Sequence, residues 1–136
     1  MRYLLDANWI AWYLRGRSEF VQAVDERRSA GLAISIVTLA ELLSGVAQST
    51  KRTESESQLR EFARGVQILG IDERIARAWG EQDARLSQAG TPIGDLDLFV
   101  ASTALSHGLI VCTQNRKHFE RVQGLKIESV ELARRK

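Results

Sequence analysis

The chain has 136 residues, 44% hydrophobic and 26% charged, the composition of an ordinary soluble globular protein, and one domain spanning residues 1–136 is expected. Its 19 Lys and Arg against 17 Asp and Glu leave a net charge of +2, a balance that permits nucleic-acid binding without requiring it. No run approaches the ~18 apolar residues of a membrane span, and Cys112 stands alone, so a disulfide framework and a cysteine zinc site are both excluded.

Tyr3–Leu5 reads as a short buried strand ending in Asp6. M-R-Y-L-L-D enters it directly, without the apolar stretch and small-residue cleavage site of a signal peptide, so the reducing cytosol is the expected compartment. Ala7–Leu14 reads as a helix whose apolar surface is Ile10, Trp12, Tyr13 and Leu14. Ser18 resembles the N-cap of a second helix running to about Ala30, where Gly31 stops it. Leu32–Ile36 is the next strand. Val37–Ala47 then sets Leu39, Leu42, Leu43 and Val46 at the i, i+3, i+4, i+7 spacing of an amphipathic helix. Thr50–Gly65 is a polar, charge-rich helix and Val66–Ile71 a third strand. Asp72 caps a long helix to about Gln88, with Ile75, Ala78, Trp79 and Leu86 on one face. After a turn at Gly90–Gly94 comes Asp95–His107, with Asp95 as its expected cap. That helix is apolar on nearly every side through Leu96, Leu98, Phe99, Val100, Ala101, Ala104 and Leu105, the mark of a buried helix. Gly108 ends it. Leu109–Thr113 is a fourth strand, residues 114–121 form a short helix or turn, Leu125–Ser129 is a fifth strand, and Arg134–Lys136 reads as a solvated tail.

Strands alternating with helices indicate an α/β fold with a parallel sheet covered on both faces, whose functional crevice lies beyond the carboxyl ends of the strands. Four polar residues fall near that rim. Asp6 follows the first strand, Glu41 comes soon after the second, Asn115 follows the fourth, and Asp97 opens the helix leading into it. Each acid has a plain reading as well. Asp6 suits an N-cap, and Glu41, about 200° around its helix from Leu39, suits a solvated surface. Asp97 in a first turn is open to the helix's free N–H groups. Yet a carboxylate on a buried helix needs a partner or a metal, because an isolated buried charge is costly. Three carboxylates at one end of a sheet repel one another unless a cation sits among them. Oxygen donors without cysteine or an H-x-x-x-H pair select Mg²⁺ or Mn²⁺, of which Mg²⁺ keeps several waters and takes one or two direct carboxylates. That combination suits phosphodiester hydrolysis by a metal-activated water.

Three segments, Y-L-L-D-A-N, S-I-V-T-L-A-E-L-L-S-G and P-I-G-D-L-D-L-F-V-A-S-T-A-L-S-H-G-L-I-V-C-T-Q-N-R-K-H-F, resemble the PIN-domain family, specifically VapC-type toxins of bacterial toxin–antitoxin pairs. The resemblance covers nearly the whole chain. It implies a PIN-like three-layer α/β/α sandwich with a five-stranded parallel sheet, and Mg²⁺- or Mn²⁺-dependent endoribonuclease activity on a tRNA or rRNA. It also implies neutralisation by a cognate antitoxin and assembly as a homodimer. The antitoxin's amphipathic segment is expected in a groove made by the helices flanking Glu41 and by Thr50–Gly65.

Matched position by position, Asp6, Glu41 and Asp97 correspond to the family's three acids, as metal ligands and catalytic residues. Asn115, expected among the catalytic residues, falls where many members carry a fourth acid and others carry asparagine. Ala7 stands where a threonine is often found, and Asn8 and Thr113 are expected to support the metal pocket from behind. Arg116 and Lys117, beside Asn115, are candidates for RNA phosphates, with a solvated pair as the equal alternative. His107 suits a helix end and His118 a structural turn. Cys112 suits a small buried hydrophobe, and Trp9, Trp12 and Trp79 suit core or interface. Two other functions fit parts of the pattern. A haloacid-dehalogenase-like phosphatase also places an acid after its first strand, but it wants D-x-D, and Asn8 stands in place of the second acid. A non-catalytic PIN-fold module that binds protein or RNA would have no need of the three acids together.

Overall fold

The fold is taken from a computed structural model that describes residues 1–132, so the Arg134–Lys136 tail lies outside the described residues. Its strands are β1 (Tyr3–Leu5), β2 (Leu32–Ser35), β3 (Val66–Leu69), β4 (Ile110–Cys112) and β5 (Lys126–Glu128). They form one five-stranded sheet in the order β3-β2-β1-β4-β5, with every pairing parallel. The helices are α1 (Ala7–Leu14), α2 (Ser18–Arg27), α3 (Ile36–Gln48), α4 (Arg52–Ala63), α5 (Glu73–Gln88), α6 (Asp95–His107) and α7 (Arg116–Phe119). None of the helices among the described residues is long and apolar enough to cross a membrane.

The alternation of side chains along the strands divides the interior in two. Leu4, Ala33 and Val111 point to one face, where they meet Leu98, Val100, Ala101 and Ala104 of α6, Leu86 of α5 and Phe119 of α7. Leu5, Leu32, Ile34 and Cys112 point to the other, against Trp9 and Ile10 of α1, Phe20 and Val24 of α2 and Phe62 of α4. This is a three-layer α/β/α sandwich. Arg27 closes one edge of the second layer: it lies over the rings of Tyr3 and Trp9, donates to Ala23 O, and donates twice to Glu128 Oε1, at 3.1 and 2.8 Å.

Several boundaries differ from the sequence reading for local reasons. Ser18 is the first residue of α2 rather than its cap, and its hydroxyl donates to Glu19 Oε1 instead of accepting from the helix. Gly94, not Asp95, precedes α6, so Asp95 adds its charge to the first turn. Asp72 caps α5 as expected, accepting from Ile75 N at 3.0 Å. Gly108 ends α6 at φ +66°, a left-handed conformation that a side chain would strain. The apolar stripes also spill past the core. Leu43 on α3 is 44% exposed and Leu96 on α6 is 47% exposed, so α6 is not buried all round.

Candidate active site

The central position of β1 puts Asp6 at the middle of the sheet's carboxyl rim. The register pairs Leu5 with Cys112, and Asp6 N donates to Cys112 O at 2.9 Å, which sets Asp6 beside Thr113 at the end of β4. Asp6 is only 6% exposed. Its two oxygens divide the work. Oδ1 accepts from Ala7 N at 2.9 Å, so the N-cap reading is correct for that atom, while Oδ2 accepts from Thr113 Oγ1 at 2.6 Å and from Asn8 Nδ2 at 3.4 Å. Thr113 is fully buried and its hydroxyl also accepts from Asn115 N at 3.0 Å. The hydroxyl absent at Ala7 is thus supplied from the neighbouring strand.

Asp97, in the first turn of α6, approaches from the opposite side of the rim. Its side chain is 25% exposed, so it stands at the mouth of the site, and the buried acid is Asp6. The partner that sequence reasoning demanded for it is nevertheless present. Oδ2 of Asp97 meets Asn115 Nδ2 at 3.1 Å and His118 Nδ1 at 3.0 Å. His118, read from sequence as a structural turn residue, therefore belongs to the site. The only sequence signal for it was its place three residues after Asn115, which on a short helix puts both side chains on one face.

Glu41 projects from α3, which starts at the carboxyl end of β2 where Ser35 accepts from Val37 N. It is exposed, as its position opposite the apolar stripe implied, but it is not isolated. Partial burial pushes its carboxyl above the ordinary range, and the charges of Asp6 and Asp97 push it further. The carboxyl of Asp6 is likewise raised, first by burial and then by Asp97, against the lowering effect of the Thr113 and Ala7 hydrogen bonds. The three acids therefore share one electrostatic neighbourhood. They do not form a closed ring: among the described residues no three His, Cys, Asp or Glu side chains are gathered at ligand spacing. Like charges that repel are expected to stand apart, and such a spread fits a hydrated ion that keeps much of its water.

Two further observations fit a divalent cation. The donors are all oxygens, and Asn8 Oδ1, on the helix that Asp6 caps, is buried without a hydrogen-bond partner. A buried amide oxygen left unmatched is costly unless something electropositive answers it. The basic pair is less uniform. Arg116 donates to Glu120 Oε1 at 3.1 Å and Ser129 Oγ at 3.0 Å, whereas Lys117 is exposed and has no ion-pair partner among the described residues. The tryptophans are structural: Trp9 is buried and donates to Gln114 Oε1, Trp12 packs on Phe20, and Trp79 stacks on Phe99.

A metal-suited acidic rim on this sandwich agrees with the sequence profile of the PIN domain, which matches residues 3–125, and the chain belongs to the PIN-domain family. Within that family its relatives include VapC ribonucleases. It is 30% identical over 128 residues to the tRNA(fMet)-specific endonuclease VapC of Salmonella typhimurium, covering 94% of this chain and 97% of that one. Ribonuclease VapC2 of Haemophilus influenzae is 29% identical over 129 residues, covering 95% and 98%. Among solved structures, the VapBC2 complex of Rickettsia felis bound to a promoter DNA fragment superposes with a TM-score of 0.90 at 28% identity, over 96% of this chain and 100% of that chain. DNA-bound VapBC of Salmonella typhimurium gives 0.88 at 29% identity, over 95% and 98%.

Proposed function

We propose that this chain is the toxin of a type II toxin–antitoxin pair, an endoribonuclease that hydrolyses RNA phosphodiester bonds with a Mg²⁺ or Mn²⁺ ion held by Asp6, Glu41 and Asp97. The observation that carries the reading is the delivery of these acids by β1, α3 and α6 to one rim, close enough that the charge of Asp97 raises the proton affinity of Asp6, and the charges of Asp6 and Asp97 raise that of Glu41. Held by these three acids, the ion would supply an acidified water and a counter-charge for a phosphoryl oxygen. The chain's own residues do the rest. Asp6 is fixed by Ala7, Asn8 and Thr113, and Asn115 orients Asp97. Lys117, exposed beside Asn115, is the cation best placed to meet the RNA backbone, with Arg116 joining only by leaving Glu120 and Ser129. The substrate is a tRNA or an rRNA, a reading supported by the name of the Salmonella relative.

The partner reading rests on shape. Helices α1, α3 and α4 enclose a groove of about 630 Å³ lined by Ala11, Leu14, Leu42, Val46 and Leu59, and Asn8 and Glu41 of the acidic site also line it. An amphipathic antitoxin segment laid there reaches the acids while burying its apolar face. That the similar solved structures are VapBC complexes supports this occupant. A second copy of the chain is the partner assigned to the other apolar surface, where Val37, Ala40 and Leu96 line a shallow depression next to Glu41. The chain is read as one domain working in the cytoplasm. The test is cleavage of RNA by the purified protein with Mg²⁺ or Mn²⁺: activity is expected with either ion, lost with a chelator and lost in Asp97→Asn. An Asp97→Asn protein that cleaves as fast as the parent refutes the assignment.

A further inference from the structure

We propose that His118 is a positioning residue: its Nδ1–H, acting with the Asn115 amide, anchors Oδ2 of Asp97 so that Oδ1 is presented to the divalent ion. The proposal rests on the reading of Asp97 as a metal ligand and adds a residue that the acidic pattern does not contain. Three distances define it. Asp97 Oδ2 lies 3.1 Å from Asn115 Nδ2 and 3.0 Å from His118 Nδ1, and the two nitrogens are 3.0 Å apart, so both converge on a single oxygen. A ring nitrogen lone pair held 3.0 Å from a carboxylate oxygen would be repelled, so the carboxylate selects the tautomer with the proton on Nδ1.

The anchor is itself fixed from below. Phe119, fully buried, pins the single turn of α7, and Asn115 N donates to the Thr113 hydroxyl that also holds Asp6. A continuous hydrogen-bonded chain thus runs from Asp6 through Thr113 and Asn115 to Asp97, with His118 as the second support at its far end. His118 does not fill the core, since its side chain is 42% exposed. Its Nδ1–H donates to the acid, alongside the Asn115 amide that donates to the same oxygen. Groups that hydrogen-bond a ligating carboxylate typically alter metal affinity or activity by about 10–100-fold when removed.

The test is Mn²⁺ binding to the metal-free full chain, followed by electron paramagnetic resonance, for the parent, His118→Ala, His118→Asn, His118→Gln and Asp97→Asn. Asparagine places an amide nitrogen near the position of imidazole Nδ1, whereas glutamine reaches to that of Nε2. Weakening by about 10-fold is expected for His118→Ala and His118→Gln, with His118→Asn back to within about threefold of the parent. RNA cleavage should follow, with the loss in His118→Ala largely recovered at saturating Mn²⁺, and the thermal midpoint of the metal-free protein should stay within a few degrees. If His118→Ala binds Mn²⁺ like the parent while Asp97→Asn does not, the positioning role is overturned and Asp97 stands as a ligand. Equal rescue by Asn and Gln, or a cleavage defect that persists at saturating metal, also overturns it. Parent-like Mn²⁺ binding by Asp97→Asn removes the ligand reading itself, and the proposal with it.

Discussion

Replacing Thr113 by valine deletes one oxygen and keeps the shape, which makes it a direct probe of how Asp6 is held. The hydroxyl donates to a buried carboxylate at 2.6 Å and accepts from Asn115 N at 3.0 Å, and the residue has no exposed surface. A hydrogen bond to a charged group contributes about 1.5–3 kcal/mol, and an N–H left unmet adds about 1 kcal/mol more where it is only half-buried. The expected loss is about 2.5–4 kcal/mol at pH 7. With an unfolding entropy of about 2.1 cal/mol/K per residue, a chain of this length loses ~3.5 °C per kcal/mol, hence about 9–14 °C in Tm.

The loss has a pH signature. The folded carboxyl of Asp6 titrates above its ordinary 3.8, so the native state holds that proton more tightly than the unfolded chain, and stability from this group falls as pH rises through the interval above 3.8. Valine removes the largest influence pulling Asp6 down, which extends that fall to higher pH. The gap between parent and variant should be widest near neutrality and narrow in acid, where the carboxyl is neutral in both and mainly the loss at Asn115 N remains. Thr113→Ser keeps the hydroxyl and should lose only about 1 kcal/mol for its methyl group. Calorimetric melts of the metal-free proteins from pH 4 to 8 read this directly. A valine variant within about 0.5 kcal/mol of the parent at pH 7, or a gap that does not change with pH, would refute the account.

Added Mn²⁺ should raise the melting temperature of the parent, since an ion at about 100 times its Kd stabilises by about 2.7 kcal/mol. The rise should be larger at pH 8 than at pH 5, because Asp6 and Glu41, both raised, must shed protons to bind, and it should vanish in Asp6→Asn. A shift of equal size in that variant, measured by scanning fluorimetry, would count against the site. Cys112 should resist thiol reagents in the native protein at pH 8, because burial pushes its thiol up to about 12, and should react at once when the chain is denatured. Rapid labelling of the folded protein would contradict the packing of the sheet's second face.

The parts of this molecule legible in the sequence are those where one segment decides its own fate. All five expected strands are present, and Asp72 and Gly108 delimit their helices as their chemistry requires. What sequence misplaced depended on distant segments. Periodicity assigned Leu43 and Leu96 to buried stripes, but the neighbouring helices do not extend over them. Burial of Asp97 was inferred from its helix, whereas the topology sets that first turn at an open rim and buries Asp6 instead. His118 carried no signal of its own. Its contact with Asp97 spans 21 positions and exists only because α6 and α7 both reach the carboxyl end of the sheet.

The strand order has a temporal implication. β1 is translated first, yet the neighbour that supplies its aspartate with a hydroxyl is β4, more than a hundred residues downstream. A nascent chain exposing only its first hundred residues lacks Thr113, Asn115 and His118 alike. The hydrogen-bonded rim of Asp6, Thr113, Asn115 and Asp97 is therefore completed only when the late strand slots in beside the earlier one.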